Sequence, residues 1–92
     1  MIECKYKKTR HVKHFKPLAI RMHTHTMDEL TYYISGEGTT QIGNTVYPYK
    51  NRVFAFYRAG TRHDEINPMP CDIIWTHFKH NIKGIELNYI YP

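Results

Sequence analysis

The stretch His23–Gly36, HTHTMDELTYYISG, decides how the rest of the chain is read. His23 and His25 stand two apart, so on an extended strand both imidazoles project from one face. Glu29 follows after three residues, and Gly36 after six more that are rich in β-branched and aromatic types. Two histidines and a carboxylate at this spacing form a metal-ligand pattern carried on a hairpin.

The alternation continues outward from this stretch. Upstream, Leu18, Ile20 and Met22 alternate with Ala19, Arg21, His23 and His25, so one face is apolar and the other polar. Within it, Glu29, Thr31, Tyr33 and Ser35 oppose Leu30, Tyr32 and Ile34. Downstream, Thr39–Ile42 and Thr45–Tyr49 read as strands joined by the two-residue turn Gly43–Asn44, with Pro48 marking an edge or a strand start. Val53–Tyr57 is the next strand, Arg58–Thr61 a turn, and His63, Glu65 and Asn67 share a face. After the turn Pro68–Pro70, the residues Ile73, Trp75 and His77 alternate with Asp72, Ile74, Thr76 and Phe78. Ile85–Tyr91 alternates again, as do Ile2, Cys4 and Tyr6 against Glu3 and Lys5, which predicts a half-buried first strand.

No apolar residues recur at three and four over a helix-length window, and turn signals fall every eight to twelve residues. The chain is therefore read as all-β, a sandwich or a barrel. Its 92 residues, 41% hydrophobic and 14% aromatic, suit a single domain with one core. Within it, residues 1–17 form a basic arm with the first strand and residues 18–92 the body.

The longest apolar run, Val53–Tyr57, is far too short to span a membrane, and no apolar segment follows the N-terminal charges, so a cytoplasmic protein is expected. Cys4 and Cys71 are too few for a disulfide framework and are read as reduced core thiols. The net charge of +5 is concentrated in Lys5, Lys7, Lys8, Arg10, Lys13, Lys16 and Arg21, with Glu3 the sole acid before Asp28. Such an arm suits a solvated strand edge better than a nucleic-acid contact.

His23, His25, Glu29 and Gly36 resemble the first motif of the cupin family at matching spacings. Gly60, His63 and Asn67 resemble the second, and the fifteen residues between Gly36 and Arg52 suit a compact member. The resemblance implies a double-stranded β-helix, or jelly-roll barrel. Arg52 stands where cupins commonly carry a turn glycine and Arg58 where they commonly carry proline. Neither position supplies a ligand.

The phrases ELTYYISGEGT, VYPYKNRVFAFYRAGTRH and IIWTHF further resemble the N-terminal ligand-binding domain of AraC-type transcription regulators. That resemblance implies a small-molecule sensor that acts through a homodimer and through a C-terminal helix-turn-helix domain reading DNA. No such domain lies before Pro92, so the chain is read as the sensor part of a longer regulator or a relative without the DNA-binding part.

His23, His25 and His63 with Glu29 offer three nitrogens and one oxygen, a donor set that suits Fe(II), Mn(II), Ni(II) or Zn(II) and leaves positions for water or substrate. The alternative is a hydrogen-bonded polar cluster without metal. If these residues point inward, strict alternation sends Arg21, Tyr33, Ser35, Glu65, Trp75 and His77 inward too, as candidate contacts to an organic ligand. Trp75 offers a face on which a sugar could stack, and Arg21 a fork for carboxylate or hydroxyls.

The leading expectation is thus a non-catalytic module binding a polar metabolite such as a sugar. The competing one is a stand-alone metal-dependent enzyme of dioxygenase or isomerase type, with Glu65 or Tyr33 moving protons. A third is a dimerisation module using Leu18, Ile20 and Met22 as an outward apolar face.

Overall fold

The computed structural model describes residues 4–80 together with 90 and 91. The described strands are β1 (Cys4–His14), β2 (Leu18–His23), β3 (Asp28–Ser35), β4 (Gly38–Ile42), β5 (Thr45–Tyr49), β6 (Val53–Tyr57), β7 (His63–Asn67), β8 (Cys71–His80) and β9 (Ile90–Tyr91). They form a five-stranded sheet, β1-β8-β3-β6-β9, and a four-stranded one, β2-β7-β4-β5, with every pairing antiparallel. The result is a jelly-roll, the all-β architecture that the alternation calls for. Of the expected final strand, residues 85–89 lie outside the described residues.

The alternation is honoured where the two sheets face each other. Glu29, Thr31 and Tyr33 on β3, Val53, Ala55 and Tyr57 on β6, and His63, Glu65 and Asn67 on β7 are all buried. Tyr33 and Tyr49 stack at 3.9 Å between centroids, and Ile42, Cys71 and Ile73 complete the core around them. β4 and β5 meet at Gly43–Asn44, where Gly43 takes φ 61, the left-handed geometry of a tight hairpin. Pro48 sits on β5, an edge strand, where its missing donor costs no ladder bond.

Gly36 closes the motif for a steric reason: its φ is 119, and a Cβ there would meet the Cys71 Cβ at 2.7 Å. Its N–H is capped by Asn51 Oδ1 at 2.9 Å, while the neighbouring Arg52 N–H bonds Tyr33 O at 2.8 Å. Arg52 takes the turn glycine's left-handed φ, 64, despite its side chain.

Three expectations are corrected. Cys71 is buried but Cys4 is exposed, and Tyr6 is 69% exposed, because β1 is an edge strand whose first half lies outside the space between the sheets. Only from Val12 onward does it contribute partly buried residues. Second, β2 carries a bulge: Ile20 pairs with Glu65 and His23 with His63, three steps against two. The extra residue reverses the faces, so Ile20 turns inward with His23, and Arg21 turns outward and is exposed. Ile20 thus lines the cavity while remaining 36% exposed. Third, β3 is bulged between Tyr33, opposite Ile73, and Ser35, opposite Asp72, which leaves Ser35 exposed.

Candidate metal centre

Backbone contacts bring the two halves of the histidine cluster together. The turn at residues 58–61 is stitched to the segment after β2: Gly60 N–H donates to His25 O at 2.9 Å and Ala59 N–H to Asp28 Oδ1 at 2.9 Å. Gly60 takes φ 81, a value that favours glycine. β7 leaves this turn with His63 as its first residue, directly opposite His23 in register. The rings of His23 and His63 lie 4.3 Å apart, and those of His25 and His63 lie 4.8 Å apart.

All three rings are oriented in the same way. His23 Nδ1 lies 2.8 Å from Arg21 O, His25 Nδ1 2.9 Å from Met27 O, and His63 Nδ1 3.0 Å from Thr61 O. A carbonyl can only accept, so each neutral ring carries its proton on Nδ1 and presents the Nε2 lone pair. This is how metal-ligating histidines are held. The Nε2 atoms of His25 and His63 are buried and have no hydrogen-bond partner, a costly state for a polar atom that nothing coordinates. Burial lowers the His63 pKa, which favours the neutral, ligating form.

Glu29 is buried among three neighbours. His77 Nε2 donates to its Oε1 at 2.7 Å and Thr31 Oγ1 to its Oε2 at 2.6 Å. His25 Nε2 stands 3.1 Å from the same Oε1, an ion-pair contact. Burial pushes the Glu29 pKa up, but the contacts from His25, Thr31 and His77 outweigh it and hold it at about 2. The Glu29 carboxylate raises the His25 pKa in turn. The donors thus fall into two triads sharing His25: His23, His25 and His63, and His25, Glu29 and His77, each with ligand atoms within 4.8 Å of one another.

These donors line a cavity of about 310 Å³, at the small end of ligand pockets. Of the residues expected around an organic ligand, Glu65, Trp75 and His77 line it and Arg21 and Ser35 do not. Tyr33 is fully buried beneath it, its hydroxyl donating to Glu65 Oε1 at 2.9 Å. Burial drives the Glu65 pKa up to about 7, although the bond from Tyr33 pulls the other way.

The walls also include Val12 and His14 of β1, which the sequence reading passed over, and Ile20 of β2, which it placed on the outer face. The alternation of Val12 and His14 with His11 and Lys13 was the available signal. Lys8, also on β1, places its ammonium 5.5 Å from the Trp75 ring centre.

Two antiparallel sheets closing over a cavity lined with histidines and carboxylates define a jelly-roll barrel. The chain belongs to the cupin family: a model of the Cupin domain, Cupin_2, matches residues 13–77. No curated protein matches it.

Among solved structures, it is similar to a conserved protein of unknown function from Streptococcus pyogenes, with TM-score 0.72, 14% identity, and 89% of this chain and 77% of that one covered. It is also similar to a predicted oxalate decarboxylase from Thermotoga maritima, with TM-score 0.70, 17% identity, and 83% and 78% covered. A third is the Bacillus subtilis oxalate decarboxylase, described with Mn(II) centres, at TM-score 0.66, 18% identity, and 75% and 20% covered. At these identities the likeness concerns the fold. Among the described residues, no helix is long and apolar enough to cross a membrane.

Proposed function

We propose that this cupin binds a divalent transition metal through His23, His25 and His63, with Glu29 beside them as a further donor, and uses it to capture a small polar metabolite in the cavity. The observation that carries this reading is the common orientation of the three histidines, each fixed at Nδ1 by a backbone carbonyl and open at Nε2. A bound ion would supply a Lewis-acidic anchor for a carboxylate or hydroxyl, Trp75 an apolar face beside it, and Glu65 a carboxyl to pair with a ligand hydroxyl.

On this reading the domain is a sensor, the input part of an AraC-type regulator acting as a homodimer in the cytoplasm. The phrases shared with that family support it, as do two free thiols suited to a reducing compartment. Metal analysis followed by calorimetric titration of the metal-loaded domain against a panel of sugars and small carboxylic acids tests the binding claim. A domain that takes up no metal and binds none of the panel would refute it. The sequence encoded after Pro92 tests the regulator claim, which predicts paired helix-turn-helix units there.

One observation favours a second reading, a metal-dependent enzyme. Glu65 lies in the cavity wall and stands apart from both triads of candidate ligands, yet carries a buried carboxyl bonded to Tyr33. A carboxyl so placed can exchange a proton with a bound substrate. Turnover of a panel compound by the wild type and its loss in Glu65→Gln, with metal content unchanged, would select the enzyme over the sensor.

A further inference from the structure

Glu29 occupies the acid's place in the metal motif, yet its carboxylate is engaged elsewhere. Each of its oxygens already accepts one hydrogen bond, Oε1 from the His77 N–H at 2.7 Å and Oε2 from the Thr31 hydroxyl at 2.6 Å. It groups with His25 and His77 rather than with His23 and His63. His77 is well fixed for this role. It lies directly opposite Glu29 in the β3–β8 register, and its ring is wedged between Trp75, 4.5 Å away, and His25, 4.4 Å away.

We propose that His77 is a latch on Glu29: it holds the carboxylate away from an ion at His23, His25 and His63 and so sets which metal the site prefers. The inference rests on the reading that these three histidines hold an ion. To move toward His23 and His63, the Glu29 carboxylate has to stretch a charge-assisted hydrogen bond in a buried setting, which opposes ligation. With the latch closed, the ion meets three imidazoles and water, a set that serves Zn(II) well. With it open, a carboxylate joins, and the harder Mn(II), which favours oxygen donors, gains most. His77 is thus a positioning residue, acting on the metal through Glu29.

The test is the ratio of Mn(II) to Zn(II) affinity, measured by competition with a chelating dye. His77→Phe removes the donor and is expected to shift the ratio toward Mn(II) by about tenfold, the scale of changes in groups that orient metal ligands. His77→Gln keeps an N–H that can reach Glu29 and should restore the wild-type ratio. Adding Glu29→Gln to His77→Phe should abolish the shift. Should His77→Phe not fold, Thr31→Val frees the other oxygen and should move the ratio the same way.

An unchanged ratio in a folded His77→Phe or Thr31→Val protein would overturn the latch. A loss of affinity for both ions in His77→Phe would also overturn it, because His77 would then be a ligand. A wild type that binds Zn(II) with an unshifted mutant ratio refutes the latch alone. A wild type that binds neither ion refutes the metal reading together with the latch.

Discussion

The interior holds two polar layers of opposite character. In the tyrosine layer, Tyr33 bonds Tyr57 at 3.0 Å and Glu65 at 2.9 Å, Thr40 bonds Tyr57 at 3.0 Å and Asp64 O at 2.6 Å, and Tyr49 bonds Asn67. Among the described residues of that layer, the Asn67 amide nitrogen alone is a buried polar atom without a partner. In the histidine layer, backbone carbonyls satisfy Nδ1 of His23, His25 and His63, and the buried Nε2 atoms of His25 and His63 are left open. The layers touch, with Tyr57 stacked on His63 at 4.2 Å between centroids. A closed network rigidifies a core, and an open one awaits a ligand, so their difference separates what holds this barrel together from what it holds.

Glu65 sits at the junction of the two layers, and pH should expose the strain there. Its carboxyl is held at about 7 against an ordinary 4.5, so the folded state binds the proton more tightly than the unfolded state does. Its contribution is complete below pH 4.5 and is lost as pH rises through 7, about 3 kcal/mol in all. Urea midpoints of the chelator-treated protein should therefore fall over this window, and Glu65→Gln should flatten the fall. An equally steep profile in the variant would mean that another group is responsible.

A pair of substitutions should separate the layers next. His23→Ala removes an exposed ring, so we expect metal affinity to drop about 100-fold while stability without metal stays within about 0.5 kcal/mol. Tyr33→Phe should do the reverse. It strips a donor from the buried Glu65 and costs about 2 kcal/mol in denaturant titration, with metal affinity unmoved. If both variants lost affinity and stability together, the layers would be one unit.

The smallest effect is expected outside both layers. Arg52 adopts φ 64, and Arg52→Gly should relieve that strain against the greater entropy of an unfolded glycine, a net gain of about 0.5 kcal/mol in thermal unfolding.

Much of this organisation was legible in the chain. Inward-facing residues such as Glu29, Thr31 and Tyr33, or His63, Glu65 and Asn67, follow from strict alternation because their strands are regular over those positions. Trp75 and His77 reach the cavity for the same reason. Arg21 and Ser35 miss it because a single extra residue in β2 and in β3 reverses the period of two, and no residue type there announces a bulge. Cys4 and Tyr6 alternate like half-buried residues, yet their burial depends on whether a second sheet covers them, which is a property of the assembled fold. The contact from His77 to Glu29 was likewise hidden, since it joins residues 48 apart through strand register.

The most direct test of the account is the tautomeric state of the histidines, read from the ring nitrogen shifts in long-range ¹H–¹⁵N NMR spectra. In metal-free protein, His23, His25 and His63 should carry their ring proton on Nδ1 when neutral, and Zn(II) should shift their Nε2 resonances at a stoichiometry of one ion per chain. Protons on Nε2, or spectra indifferent to Zn(II), would contradict it.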